Sequence, residues 1–352
     1  MTGTAHRTHI YVGLAGEGEF IGEGKLLRKA DGDDEWQDIS RGLPDNPQVR
    51  ALLVRPDNPS MIYAGTQEGV YRSSDRGGHW EGLDDAAQGN DVWSLAVHPN
   101  DPEVIFAGFE PCSISRSQDG GDTWEKMDTS RVTFPDITTY MEPTAKRVIG
   151  MAIDPVDSTN MYAAIEVGGL LASHDGGESW DQVIDGPFVR NNTLDLHDVQ
   201  VSAAASDTIH IATQTAMFRS RDQGAHWEHV QVEEMFPGGS YCRDLLVAPD
   251  DPKTIYLAAG AGGGAAPPET AQAGALFRSR DTGETWERVN VGDIPPGRMM
   301  QVAIDPANPS RVFCTAYSGE VYSSNDGGLS WDKSMLPVKT SRSLHVYPMV
   351  CG

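Results

Sequence analysis

Lysine is scarce in this chain. Of 27 basic residues 7 are lysine and 20 are arginine, set against 51 acids, for a net charge of −24 over 352 residues. A surface so short of positive charge repels nucleic acid and anionic membrane, which excludes both as general partners. The positive charge that remains is mostly guanidinium, the planar fork suited to carboxylate, phosphate or sulfate. Long apolar runs are also missing, and none approaches the ~18 residues of a membrane helix. The opening MTGTAHRTHIYVG has no apolar centre and no small-residue cleavage site, so it does not read as a secretory leader. The expectation is a cytoplasmic monomer. Cys112, Cys242, Cys314 and Cys351 lack CxxC spacing, which fits free thiols rather than a disulfide framework or a zinc site. HExxH, P-loop, serine-hydrolase and dinucleotide signatures are absent, so neither a metal centre nor a cofactor is expected.

What the sequence has is repetition. The phrase Ser-x-Asp-x-Gly-x-x-Trp stands at Ser73–Trp80, Ser117–Trp124, Ser173–Trp180, Ser220–Trp227, Ser279–Trp286 and Ser324–Trp331. A worn copy, Lys29–Trp36, keeps the Asp and the Trp. The seven tryptophans lie 44 to 59 residues apart, and of the eight in the chain only Trp93 falls outside the phrase. Ahead of most copies come two short apolar runs split by a proline turn, as in Ala51–Pro56 with Met61–Gly65. Runs this short, rich in Val, Ile, Tyr and Phe and bounded by Asp-Pro, Asn-Pro and Asp-Gly, read as strands.

Four short strands per 40–60 residues is the pattern of an all-β, seven-bladed β-propeller with four-stranded antiparallel blades. The chain begins with a second-type strand, Ile10–Gly13, and ends with a first-type strand, Ser343–Pro348. The C-terminal strand therefore completes the first blade and closes the ring. The blades fall at 8–40 plus 341–349, 49–82, 91–127, 147–183, 197–230, 241–289 and 298–333, one domain spanning 1–352.

The repeated phrase resembles the Asp-box, or BNR repeat, of sialidases, xyloglucanases, sortilin-type receptors and the Ycf48-like photosystem assembly factors. The resemblance covers nearly the whole chain and implies the fold; its members do different things on that scaffold. It also implies that the box turns lie away from the ligand funnel. Asp75, Asp119, Asp175, Asp222, Asp281 and Asp326 are accordingly assigned to folding, with Ser and Asp accepting backbone N–H groups and Trp filling the gap between blades. Structural calcium at these turns is left open, since no copy has EF-hand spacing.

Chemistry is expected at the funnel. Aligning the first-type strands on their prolines places Arg50, Trp93, Arg147, His197, Asp198, Tyr241, Arg243, Asp244, Arg298 and Arg342 near its mouth. The opposite turns add Glu68, Glu110, Glu166, Gln214 and Glu320. Three long segments, at 14–23, 128–146 and 259–273, belong to the same end, and the middle one carries Tyr140, Glu142 and Lys146. Arginines from several blades either plug the channel with ion pairs or bind an anion. Asp198, Asp244, Glu142 and Glu166, with Tyr241, are the candidates for acid–base or nucleophilic work; Arg50, Trp93, Arg147, His197, Arg243, Arg298 and Arg342 are the candidates for binding. Sialidases resemble this set in their arginine triad and Tyr–Glu pair, yet no Arg-Ile-Pro segment occurs here. Xyloglucanases place their carboxylates between two propellers, whereas this sequence holds one. Two readings follow: a small polar or anionic ligand such as a carbohydrate or organic acid, handled by a glycosidase-like hydrolase or lyase, or a non-catalytic propeller that binds a protein.

Overall fold

The computed structural model describes all residues except 1–6, 17–20, 84–89, 135–145, 184–194, 231–239, 262–273 and 342. Its strands form seven sheets of four, each antiparallel, and the described residues contain no helix. The innermost strands are Ala51–Val54, Asp91–His98, Arg147–Ile153, Leu196–Ser202, Ser240–Val247, Met299–Ile304 and His345–Cys351. Each packs against the next and the last against the first, so the ring is closed. It is a seven-bladed propeller.

Closure uses the chain end, as the pattern of strands predicts, with a shifted register. The pairing strand is His345–Cys351 rather than 343–348, and it lies antiparallel to His9–Ala15 with Ile10 opposite Cys351 and Ala15 opposite His345. The strand runs past Pro348 because that residue sits in an irregularity of the ladder, where its missing N–H costs no bond.

Second strands such as Ile62–Thr66 and Met161–Glu166 are buried at every position. Both of their faces meet neighbouring blades, which is why these stretches read as unbroken apolar runs rather than alternating ones. Close approach also explains a glycine: a Cβ at Gly65 would come within 2.5 Å of Val92 in the next blade.

The box is a turn held by its own side chains. Ser117 Oγ donates to Asp119 Oδ1 at 2.8 Å and accepts the Gly121 N–H at 2.8 Å. Asp119 in turn accepts the Thr123 N–H and hydroxyl at 2.8 and 2.6 Å. Both carboxylate oxygens are thus occupied by protein donors. The tryptophans pack at the blade junctions, as expected, but differ in depth. Trp180 alone among them is fully buried, whereas Trp80, Trp124, Trp227, Trp286 and Trp331 are half-exposed edges of their clusters. Most spend their indole N–H within the turn, as when Trp227 donates to Gly224 O at 3.0 Å, whereas Trp80 donates to Ile39 O of the first blade at 2.9 Å.

Inter-blade contact is shared with an arginine just before the box serine. Arg72 bonds Glu81 of its own blade at 2.7 Å, and Gly120 O and Asp122 of the next blade at 3.0 and 2.8 Å. Arg219 repeats this with Glu228 at 2.7 Å and Gly283 O at 2.8 Å, and Arg278 with Glu287 at 2.7 Å and Gly327 O at 3.2 Å. A single lysine nitrogen could not reach all these acceptors at once, which accounts for the choice of arginine.

The box carboxylates set an acid limit. Asp75, Asp119 and Asp222 fall from the ordinary 3.8 to about 2, first through the side chains of His79, Thr123 and His226 and then through those residues' backbone N–H groups. A carboxylate depressed on folding stabilises the native state above the unfolded value and loses that effect as pH falls through the folded one. Stability measured by denaturant titration is therefore expected to drop between about pH 4 and pH 2. Asp222→Asn should shallow that slope; an unchanged slope would contradict the assignment.

Candidate functional site

A break in the ladder builds the site. In five blades one extra residue is inserted at the same place in the innermost strand: Trp93, Ile149, His197, Arg243 and Met300. In the closing blade Tyr347 and Pro348 together oppose Gly13, and in the second blade Arg50 stands just ahead of Ala51. A bulge of this kind re-aims a side chain out of the sheet. Here it aims at the axis: Arg50, Trp93, His197, Arg243 and Tyr347 line a central cavity of about 320 Å³. The next residue in each blade forms a second tier of the same wall: Ala51, Ser94, Gly150, Asp198, Asp244, Gln301 and Pro348.

The arginines expected at the mouth of the funnel stand at two levels. Arg50 and Arg243 reach the cavity, but Arg147 and Arg298 stand two residues ahead of the bulge and form a tier beyond it. They are stacked on the aromatic residues of the lower tier or of their own. The guanidinium carbons of Arg50 and Arg147 lie 4.7 and 4.0 Å from the Trp93 ring centre, so the indole is flanked by two cations. Arg298 lies 4.0 Å from Tyr241, and Arg243 lies 5.6 Å from Tyr347. The aromatics join one another: Trp93 meets Tyr347 edge-on at 5.4 Å, His345 stacks on Tyr347 at 4.7 Å, and His197 lies 4.7 Å from Tyr241. Buried cation–π contacts offset part of the cost of removing guanidinium groups from water.

Carboxylates supply the rest. Arg50 pairs with Asp91 at 3.0 Å, and Arg147 with Glu166 at 3.1 Å and Glu110 at 3.3 Å. Burial pushes the Asp91 and Glu110 carboxyls above their ordinary values, against the pull of Arg50 and Arg147. Arg50 and Arg147 thus hold carboxylate partners while a cavity remains beside Arg50.

Asp198 and Asp244 lie in the wall and staple blades together. Asp198 accepts N–H groups from Val199 at 2.8 Å and from Leu245 of the next blade at 2.9 Å. Asp244 does the same with Val302 at 2.7 Å, and Ser94 Oγ donates to Val148 O at 2.7 Å. Although each keeps some area on the cavity, both are enclosed by protein. That burial raises Asp198 to about 7, and it raises Asp244 as well, with the charge of Asp198 adding to the effect.

Among the other sequence candidates, Glu166 and His197 are buried at the junction of the fourth and fifth blades, and Tyr241 sits beneath Arg298. Glu142, Tyr140 and Arg342 lie outside the described residues. Asp91, Asp195 and Tyr347 escaped notice. Alignment on the proline hides them; alignment on the bulge puts Asp91 and Asp195 in register with Arg147, and Tyr347 in register with Arg50.

With this geometry in view, the chain can be compared with known proteins. The likenesses point to xyloglucanases. The chain is 22% identical over 335 residues to the oligoxyloglucan-reducing end-specific xyloglucanase of Emericella nidulans, covering 80% of this chain and 40% of that enzyme. The crystal structure of a GH74 enzyme from Niastella koreensis superposes with a TM-score of 0.63 at 20% identity, over 82% of this chain and 45% of that one. YCF48 from Cyanidioschyzon merolae gives 0.55 at 14% identity, over 83% and 86%. No family model matches the sequence. The chain thus spans about two fifths of the length of the fungal enzyme it matches, and the two structural likenesses speak for the fold.

Proposed function

We propose that this propeller binds a small polar or anionic ligand of the carbohydrate or organic-acid class in its central cavity and acts on it as a glycosidase-like hydrolase or lyase. The observation that carries the reading is the belt of stacked guanidinium and aromatic groups around an open cavity. In a chain of net charge −24, this is where an anion is drawn in rather than repelled. Flat aromatic faces alternating with bidentate donors suit a ring bearing hydroxyl and carboxylate groups. A volume of about 320 Å³ matches one sugar or organic acid, so a longer glycan would place only one end inside. The resemblance to xyloglucanases supports the carbohydrate class, and Asp198 and Asp244 are the carboxyl groups in reach of such a ligand.

Thermal-shift screening with uronic acids, simple organic acids and xyloglucan oligosaccharides, followed by assay of released reducing ends, tests both halves of the reading. Arg243→Ala is expected to weaken an anionic ligand by about 1.5–3 kcal/mol, the range for hydrogen bonds to charged groups. A panel in which no anion shifts the melt, or a variant that binds as tightly as the parent, would sink it.

A second reading has its own support. YCF48 matches this chain over 86% of its own length, whereas the GH74 enzyme is matched over 45%. A like-sized relative favours a protein-binding propeller. Under that reading the same arginine belt would dock an acidic protein segment, and no bond would be cleaved.

A further inference from the structure

We propose that Glu166, Asp195 and His197 form a binding site for one divalent transition-metal ion at the shoulder of the central cavity. The three residues meet where the fourth blade packs on the fifth. Glu166 ends the strand Met161–Glu166, while Asp195 and His197 flank Leu196 at the start of Leu196–Ser202. All are deeply buried, at 5%, 1% and 3% exposure. One oxygen from each acid and one imidazole nitrogen lie within 4.8 Å of one another, and His197 Nε2 is 3.9 Å from Asp195 Oδ1. Atoms bound to a common ion at about 2.0–2.2 Å stand roughly 3–4 Å apart, so a contraction of about an ångström or less completes the set.

The histidine is oriented for this role. Its Nδ1 lies 2.6 Å from the carbonyl oxygen of Cys242. A carbonyl can only accept, so Nδ1 carries the hydrogen and Nε2 is the nitrogen turned toward the carboxylates. Metal-bound histidines are commonly fixed by such a bond from the other ring nitrogen, and bound carboxylates by a hydrogen-bonding neighbour. Arg147, ion-paired with Glu166 at 3.1 Å, holds that carboxylate in place. The imidazole is placed by the bulge at position 197, which turns it out of the ladder. Among the described residues this is the one cluster of His, Cys, Asp and Glu with such spacing. One nitrogen and two oxygen donors suit Zn²⁺, Mn²⁺, Fe²⁺ or Co²⁺ rather than Ca²⁺ or Mg²⁺, which favour oxygen alone. Because His197 also lines the cavity, an ion held there would face the ligand space and have a path of entry.

The inference stands apart from the identity of the cavity ligand. The full chain, stripped with chelator and dialysed, would be titrated with Zn²⁺ and with Co²⁺ by calorimetry and visible absorption. One equivalent should bind, raise the melting temperature and, for Co²⁺, give d–d bands. Asp195→Asn and Glu166→Gln should each weaken binding by more than the roughly 10–100-fold that loss of an orienting neighbour costs. His226→Ala, which removes an exposed histidine beside Asp222, should leave that equivalent unchanged. If a variant does not fold, histidine ¹⁵N spectra of the parent protein decide the matter, since Zn²⁺ must move a buried imidazole signal. No stoichiometric binding, full retention in Asp195→Asn, or loss in His226→Ala would overturn the site.

Discussion

A chain ending at residue 344 is expected not to fold cooperatively. The deleted strand brings Val346, Tyr347, Met349 and Cys351 to near-complete burial. At about 1.5–3 kcal/mol for each large apolar side chain, their loss approaches the ~5–15 kcal/mol that separates native from unfolded states in whole domains. The damage also spreads. Without His345–Cys351, the strand His9–Ala15 loses its partner along its whole length, and the innermost strands on both sides lose a neighbour. An unpaired edge is then open to other chains. Circular dichroism melting and light scattering would show a broad transition and association, and adding a peptide of residues 343–352 should restore part of the melt. A truncated protein that melts as sharply as the parent would contradict closure by this strand.

Trp180→Ala is expected to cost ~3–5 kcal/mol, the range for emptying a buried aromatic site, while Trp227→Ala should cost clearly less. The two occupy the same place in their boxes and differ in what lies above them. Asp128 of the preceding blade takes the Trp180 N–H at 3.1 Å and donates its own to Glu178 O at 3.2 Å. That segment covers the indole, which packs on Phe106, Met127, Val148 and Met161. Trp227 is only partly buried. Urea unfolding of the two variants separates them. Equal losses would mean that the box tryptophan acts through its turn rather than through burial.

The repeat made the architecture readable before any coordinates. A Ser, an Asp and a Trp at fixed spacing need seven copies of one turn, and a chain that begins on a second strand and ends on a first needs its ends to meet. The site was less legible because its determinants are not periodic. Arg50 and Trp93 could be found, since a proline lies at nearly constant distance from each. The division of the arginines into tiers could not, because it depends on one inserted residue per strand that no composition signal marks. The stapling by Asp198 and Asp244 was hidden for another reason. Their partners are main-chain N–H groups of Leu245 and Val302 in the following blades, and a backbone donor leaves no trace in a sequence. Asp91 and Asp195 read as ordinary surface acids in an acidic chain until the fold turned them inward.

The inserted residue also separates two tasks that most β-proteins must perform with the same amino acid. Trp93, Ile149, His197, Arg243 and Met300 have no opposite number in the adjoining strand, so exchanging one changes what the axis presents and leaves the strand pairing as it was. Five different amino acids occupy one repeated location on a common frame. Recoding them in combination would rewrite the chemistry of the centre one blade at a time, with the surrounding ring as an invariant holder.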